Sequence, residues 1–186
     1  VRLLKDRLPL ILALMLGACA PGHGLPPLPP LHTTDYHLGA GDVVRLITFG
    51  EEQLTGEFRV ADSGSVALPL VGPVRAAGLT PSELEQAVAE ALKRGALLRN
   101  PSVSAEVIAY RPIFVLGEVN KPGQYPYQPG MTVVTAVAVA GGFTYRAVEG
   151  YASVMRTADG RAFEGRAARQ AFVQPGDVIT VFERRF

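Results

Sequence analysis

Each β-branched or aromatic run in this chain ends after a few residues at a turn containing glycine or proline. Among 186 residues, 20 are glycine and 15 are proline. That density dictates short strands and tight turns, yet it stays below the level of a disordered low-complexity chain. A 48% hydrophobic content is enough for a real core, and the length fits one or two small domains. The class that follows is α+β, with short strands, tight turns and a small number of helices.

The strand signals can be placed one by one. Val43 to Phe49 is β-branched and aromatic and follows the Gly39-Ala40-Gly41-Asp42 turn. After the turn Asp62-Ser63-Gly64-Ser65 come Val66-Ala67-Leu68, a break at Pro69, and Val71 to Ala76. Ser102 to Ala109 alternates as a half-buried strand does. The Tyr110-Arg111-Pro112 junction divides two units, and Ile113 to Tyr125 reads as strand, loop and strand. Tyr151 to Thr157, a short Arg161 to Glu164, and Val178 to Glu183 read as further strands. Gly39-Ala40-Gly41-Asp42-Val43-Val44 and Gln174-Pro175-Gly176-Asp177-Val178-Ile179 resemble each other, as a turn used twice.

Two helices are expected. Thr80-Pro81-Ser82-Glu83 combines an N-cap, proline at the first helical position and the capping-box glutamate. Leu84, Val88, Ala91 and Leu92 form its apolar stripe, Lys93 and Arg94 suit its C-terminal dipole, and Gly95 is placed to cap it. Thr132 to Ala140 is ambiguous, because its valines favour a strand while Gly141-Gly142 would stop a helix well.

The N-terminus has its own logic. Arg2, Lys5 and Arg7 precede an apolar run from Leu8 to Leu16 and then Gly17-Ala18-Cys19, the layout of a secretory signal peptide. The run is too short for a spanning helix, and no run of 18 apolar residues follows. Leu16-Gly17-Ala18-Cys19 resembles the bacterial lipobox, which implies cleavage between Ala18 and Cys19 and a diacylglycerol on the Cys19 thiol. Residues 1–18 are thus the lipoprotein signal peptide, and the mature chain carries 15 Lys+Arg against 16 Asp+Glu. Ala20 after the cysteine, by resemblance to such lipoproteins, points to the outer membrane. Residues 19–34 read as a lipidated end and a Pro-rich tether, with residues 20–32 expected as a polyproline II spacer reaching about 40 Å from the lipid.

Several function classes lose support. The near-zero charge argues against a nucleic-acid partner. One cysteine makes no intramolecular disulfide, and with three histidines it builds no structural zinc site. His23, His32 and His37 all sit in or at the end of the tether, where nothing preorganises them. Gly39-Ala40-Gly41 lacks the third glycine of a dinucleotide fingerprint and precedes a strand, and no phosphate loop occurs. Glu51-Glu52 diverge as neighbours do, so they are read as a solvated loop. Lys121 and Arg146 are candidates to touch an acidic sugar, with plain surface charge as the alternative. No catalytic residue, metal or cofactor is expected, and the chain is read as no enzyme.

The motifs in their order resemble the outer-membrane polysaccharide export lipoproteins, the family of Wza type. Tyr36 to Val43 and Asp62 to Gly72 resemble the signatures of its export domain, and the capped helix and the Asn100-Pro101-Ser102-Val103 step follow in the family's order. Gly117 to Tyr125 and Ala140 to Thr144 are similar to its soluble-ligand-binding β-grasp (SLBB) module, which Pro175 to Ile179 closes. The resemblance implies a small export-type α/β domain at 35–110 followed by an SLBB β-grasp domain at 111–186, with Thr132 to Ala140 helical. The positions it singles out are Gly41, Asp42, Asp62, Gly64, Pro69, Gly72, Gly117, Pro122, Gly123, Gly141, Gly142, Gly176 and Asp177, all read as structural.

By resemblance, the protein is a homo-oligomeric ring anchored at Cys19 with its body in the periplasm. The ring passes a nascent capsule or exopolysaccharide chain as cargo and works with an inner-membrane polysaccharide co-polymerase. The chain ends after one β-grasp copy, so it is expected as a short member lacking the C-terminal membrane helix, one that works with a separate outer-membrane β-barrel or forms only the periplasmic collar. The competing reading is a lipid-anchored periplasmic module that binds a glycan without forming a channel.

Overall fold

A computed structural model of the chain describes residues 21–29, 36–158 and 160–184. The leader, Ala18, Cys19 and His32 lie outside the described residues. The chain forms two units, one from residues 36–112 with 126–128, here the export unit, and one from residues 21–29, 113–125 and 129–184, here the grasp unit.

The export unit begins with β1 (Val43–Thr48), whose Val44, Leu46 and Thr48 point inward. It pairs antiparallel with β2 (Gly56–Arg59) on one side and β5 (Val103–Ala109) on the other. On the opposite face Arg45 reaches Glu57 at 3.0 Å and Glu106 at 3.6 Å, its partners in the two ladders. Exposed pairs of this kind contribute at most about 1 kcal/mol, but slipping the register by one residue would bury the arginine. β3 (Ser65–Leu68) and β4 (Gly72–Arg75) form a separate hairpin.

Helix α1 (Pro81–Arg94) carries the expected capping box: Glu83 N–H donates to Thr80 Oγ1 at 3.2 Å, and Thr80 N–H donates to Glu83 Oε2 at 2.8 Å. Its stripe of Leu84, Val88, Ala91 and Leu92 is buried. These side chains join Val44, Leu46, Val60, Val66 and Val74 in one cluster. Full burial of each leucine stabilises by about 1.5–3 kcal/mol relative to exposure. The helix also caps a sheet edge, because Glu85 Oε1 accepts from Ala105 N–H at 2.9 Å.

The grasp unit is built on a five-stranded sheet in the order β7-β6-β10-β8-β9. Its strands are β6 (Ile113–Gly117), β7 (Gly123–Tyr125), β8 (Tyr151–Ala158), β9 (Arg161–Ala168) and β10 (Val178–Val181). β6 and β10 run parallel, and the other neighbours are antiparallel. Helix α2 (Val133–Val139) buries Val133, Ala136 and Val137. A reciprocal Thr132–Thr135 cap starts it, which with burial outweighs the poor helix propensity of valine. Gly142 N–H returns to Val137 C=O at 2.9 Å and ends it. With both helices and all three sheets in place, the fold is α+β.

Two expectations are corrected, and two features were not foreseen. β9 runs eight residues rather than stopping at Glu164, because β8 offers it a ladder from Tyr151 to Ala158. β2 was not foreseen; its four residues alternate only between half-buried and exposed. Gly95 caps α1 as expected, with an ordinary φ of −73° and its N–H on Ala91 C=O, and the left-handed residue that follows it, Ala96 (φ 53°), was not foreseen.

The other correction concerns the tether. Residues 26–28 are no free spacer but lie along the edge of β9 through a parallel bridge, with Pro27 opposite Arg166. Arg166 N–H donates to Pro26 C=O at 2.7 Å, and Leu28 N–H donates to Arg166 C=O at 2.8 Å. The prolines permit this because the ladder asks for an N–H only at Leu28.

Candidate functional site

The two look-alike turns are one structure built twice. In the first, Gly41 takes φ 97° and Asp42 is fully buried; in the second, Gly176 takes φ 89° and Asp177 is buried. Each aspartate draws in the amide three residues before it: Gly39 N–H to Asp42 Oδ2 at 2.7 Å and Gln174 N–H to Asp177 Oδ2 at 2.7 Å. Each aspartate N–H also bonds the same residue's carbonyl, at 3.1 Å and 3.0 Å. A buried carboxylate needs a cation as well, and each turn has an arginine from a distant strand or strand end.

In the export unit that arginine is Arg111. Its backbone N–H donates to Asp42 Oδ1 at 2.8 Å and its guanidinium to Oδ2 at 3.2 Å. Arg111 occupies the space a side chain at position 39 would need, which accounts for the first glycine of the motif. The Tyr36 hydroxyl also donates to Asp42 Oδ2. Burial first, and the Asp42 carboxylate second, push the Tyr36 phenol above its ordinary value. Tyr110 packs edge-on against Tyr36 at 4.9 Å and against Tyr127 at 5.4 Å, and burial raises its phenol too.

In the grasp unit the arginine is Arg156 on β8, with side-chain exposure of 5%. Among the described residues, every buried side-chain nitrogen and oxygen has a hydrogen-bond partner. No group of three or more His, Cys, Asp or Glu there is arranged to hold a metal.

The two β-grasp motifs interlock. Asn120 Nδ2 donates to Gly141 C=O at 2.8 Å, Asn120 N–H to Gly142 C=O at 3.0 Å and Lys121 N–H to Ala140 C=O at 2.9 Å. Thr144 donates to Glu118 at the far end of the same loop. Gly117 (φ 81°) sits where β6 leaves the sheet, and a Cβ there would lie 2.1 Å from Val181 C=O. Only glycine fits that approach. Gly123 lies on β7 opposite Val115, with Pro122 exposed beside it.

The remaining motif positions hold the β3–β4 hairpin. Gly64 C=O accepts from Ala76 and Ala77, Asp62 and Pro69 are exposed, and Gly72 opens β4 opposite Leu68. Of the two cations considered for an acidic sugar, Arg146 is ion-paired with Glu183, while Lys121 is exposed with its stem near Gly141. The structure does not bring the two into one cluster through any hydrogen bond or ion pair.

Sequence reasoning missed Arg111 and Arg156, because an arginine's sequence neighbours do not reveal which buried acid it meets. It also missed an open groove of about 550 Å³ in the export unit, lined by Leu70, Val71 and Val74 with Ala87, Glu90 and Arg94. Leu70 stands there exposed in a left-handed conformation (φ 64°).

Comparison with known proteins accounts for these motifs. The family described as polysaccharide biosynthesis/export protein matches residues 31–108, and the SLBB domain family matches residues 112–164. The chain is 36% identical over 143 residues to the exopolysaccharide production protein ExoF of Rhizobium meliloti (strain 1021), covering 70% of this chain and 32% of that protein. It is 31% identical over 105 residues to the EPS I polysaccharide export outer membrane protein EpsA of Ralstonia nicotianae, covering 55% of this chain and 27% of that protein. It is 31% identical over 110 residues to the polysialic acid transport protein KpsD of Escherichia coli, covering 58% and 20%. The chain thus spans about a third or less of each of these curated relatives. With both domain families matched in tandem and their signature turns built as described, the chain belongs to the polysaccharide export family of Wza type, as an export domain followed by an SLBB domain.

Proposed function

We propose that this protein is a periplasm-facing component of a capsule or exopolysaccharide export channel, anchored in the outer membrane through Cys19 and assembled as a homo-oligomeric conduit. The observation that carries this reading is the tandem of export and SLBB domains in one chain, matched to relatives named for exopolysaccharide production, export and transport. The name of EpsA as an outer membrane protein supports the location. Among the described residues no helix is long and apolar enough to cross a membrane.

The physics of such a conduit is passive. A hydrated glycan slides along a polar wall because each contact it breaks is replaced by water or by the next contact, so no site holds it tightly. Small β-rich modules meeting head to tail close into a ring when the rotation between copies closes. The partners would be the polysaccharide chain, an inner-membrane co-polymerase and a separate outer-membrane β-barrel.

The test is the partition of polysaccharide between cell-retained and released fractions in a deletion strain carrying wild-type or Cys19→Ser protein. Loss of released glycan, restored only by the form that can be lipidated, is expected. Unchanged release in the deletion strain would favour a lipid-anchored glycan-binding module instead.

A further inference from the structure

A lipid anchor on a free polyproline spacer would leave the folded body far from the bilayer. In the structure the spacer is not free. Tyr151 OH donates to Pro21 C=O at 2.8 Å. The Phe182 ring lies so close to Gly22 that a Cβ there would come within 2.6 Å of it. Four residues on, the stem joins the β9 ladder through Pro26 and Leu28. Gly165 makes that approach possible, since a Cβ on it would sit 3.0 Å from Leu28 Cα. Tyr151 is itself held, tilted against Phe182 at 5.9 Å and under the Arg166 guanidinium at 5.3 Å. Both ends of residues 21–28 are therefore fastened to the same unit.

We infer that the stem is a clamp, and that the grasp unit sits at the membrane surface with its Tyr151–β9 edge toward the lipid headgroups. The inference rests on the anchored reading above. Pro21 follows Cys19 by two positions, and a chain extends at most about 3.6 Å per residue, so a lipidated Cys19 can be no farther than about 7 Å from the clamped Pro21. The reach of about 40 Å expected of a free spacer collapses to a few ångströms. The sheet then sets a gradient: with strands about 4.8 Å apart, β7 lies five spacings, or about 24 Å, from the stem.

Purified full-length lipidated protein is reconstituted into phosphatidylcholine vesicles carrying a headgroup-attached quencher. A single fluorophore is placed at Gly150→Cys, where a Cβ meets nothing within 4 Å, or at Gln124→Cys, the exposed residue of β7. Flotation with the vesicles is read first. The expected result is several-fold stronger quenching at position 150 than at 124, and loss of that difference when the clamp is opened. Two variants open it from opposite sides: Tyr151→Phe with Gly165→Val on the body, and Gly22→Val with Leu28→Pro on the stem, the latter touching no core strand. Equal quenching at both positions, or a difference that survives both variants, overturns the clamp while leaving the anchored reading intact. Protein that fails to float with the vesicles overturns the anchor itself, and the clamp's orientation with it.

Discussion

Arg156 and Asp177 form a two-pronged ion pair inside the grasp unit, Nε to Oδ1 at 2.9 Å and Nη2 to Oδ2 at 2.6 Å, with both side chains at 5% exposure or less. The pair ties β8 to the turn that opens β10, and Arg156 reaches on to Phe172 C=O at 3.3 Å. Desolvation offsets much of the attraction, so the intact pair adds little net stability, but leaving one partner alone is costly. Arg156→Met is expected to cost about 3–5 kcal/mol in denaturant unfolding. Arg156→Met with Asp177→Asn should recover part of that loss, because the uncompensated buried charge is gone. A single variant as stable as wild type would show that water reaches the site.

Tyr36→Phe removes one donor from Asp42 but leaves Gly39 N–H, Arg111 N–H and the Arg111 guanidinium in place. The expected cost is about 1.5–2 kcal/mol at neutral pH, the low end for a hydrogen bond to a charged group. The folded phenol titrates above its ordinary value of 10.0, so its stabilisation is complete below pH 10 and is lost as pH rises beyond it. Stability of the wild type should fall more steeply above pH 10 than that of the variant, whose remaining slope belongs to Tyr110. Parallel alkaline profiles would refute this.

Thr80→Ala removes the N-cap of α1 and should cost about 1 kcal/mol, read from thermal or denaturant unfolding. Glu83 returns the cap. Its bonds to the Thr80 backbone and then to the Thr80 hydroxyl hold its carboxyl below the usual 4.5. That contribution is present above the unfolded value and fades as pH falls through the lower folded one. Glu83→Gln keeps the capping geometry while removing the titration, so its stability should depend less on pH below about 4.5 than that of the wild type. Hydrogen exchange of the first turn of α1 reads the same difference locally.

Ala96→Gly should stabilise the export unit by about 0.5–1 kcal/mol, because an alanine in the left-handed region carries a steric penalty that glycine avoids. A Gly95→Ala change is expected to be nearly neutral, since Gly95 has an ordinary negative φ and a Cβ there meets its closest neighbour at 3.4 Å. The reverse ordering would mean that the helix ends in the conformation that the glycine alone suggests.

Where local chemistry decides, the sequence was readable. Thr80, Pro81 and Glu83 fix the start of α1 within one turn of chain, and its buried stripe follows from spacing alone. The repeated Gly-Asp turn was visible as a phrase because its key contact, from the amide three residues back, is local. Helix α2 was undecided from its valines and became legible through the resemblance, and its threonine cap lies in plain sight at positions 132 and 135.

What the sequence by itself determined is therefore the punctuation: turns, caps and the alternation of β1, each set by residues within a few positions of one another. Tertiary structure decided the rest. It chose Arg111 for Asp42 and Arg156 for Asp177 across separations of 69 and 21 residues. It extended β9 because β8 offered a full ladder, and it laid residues 26–28 on the open edge of β9. An unpaired strand edge and a buried charge take whichever group the fold brings near. The free energy of satisfying them belongs to the assembled pair and cannot be assigned to either segment alone.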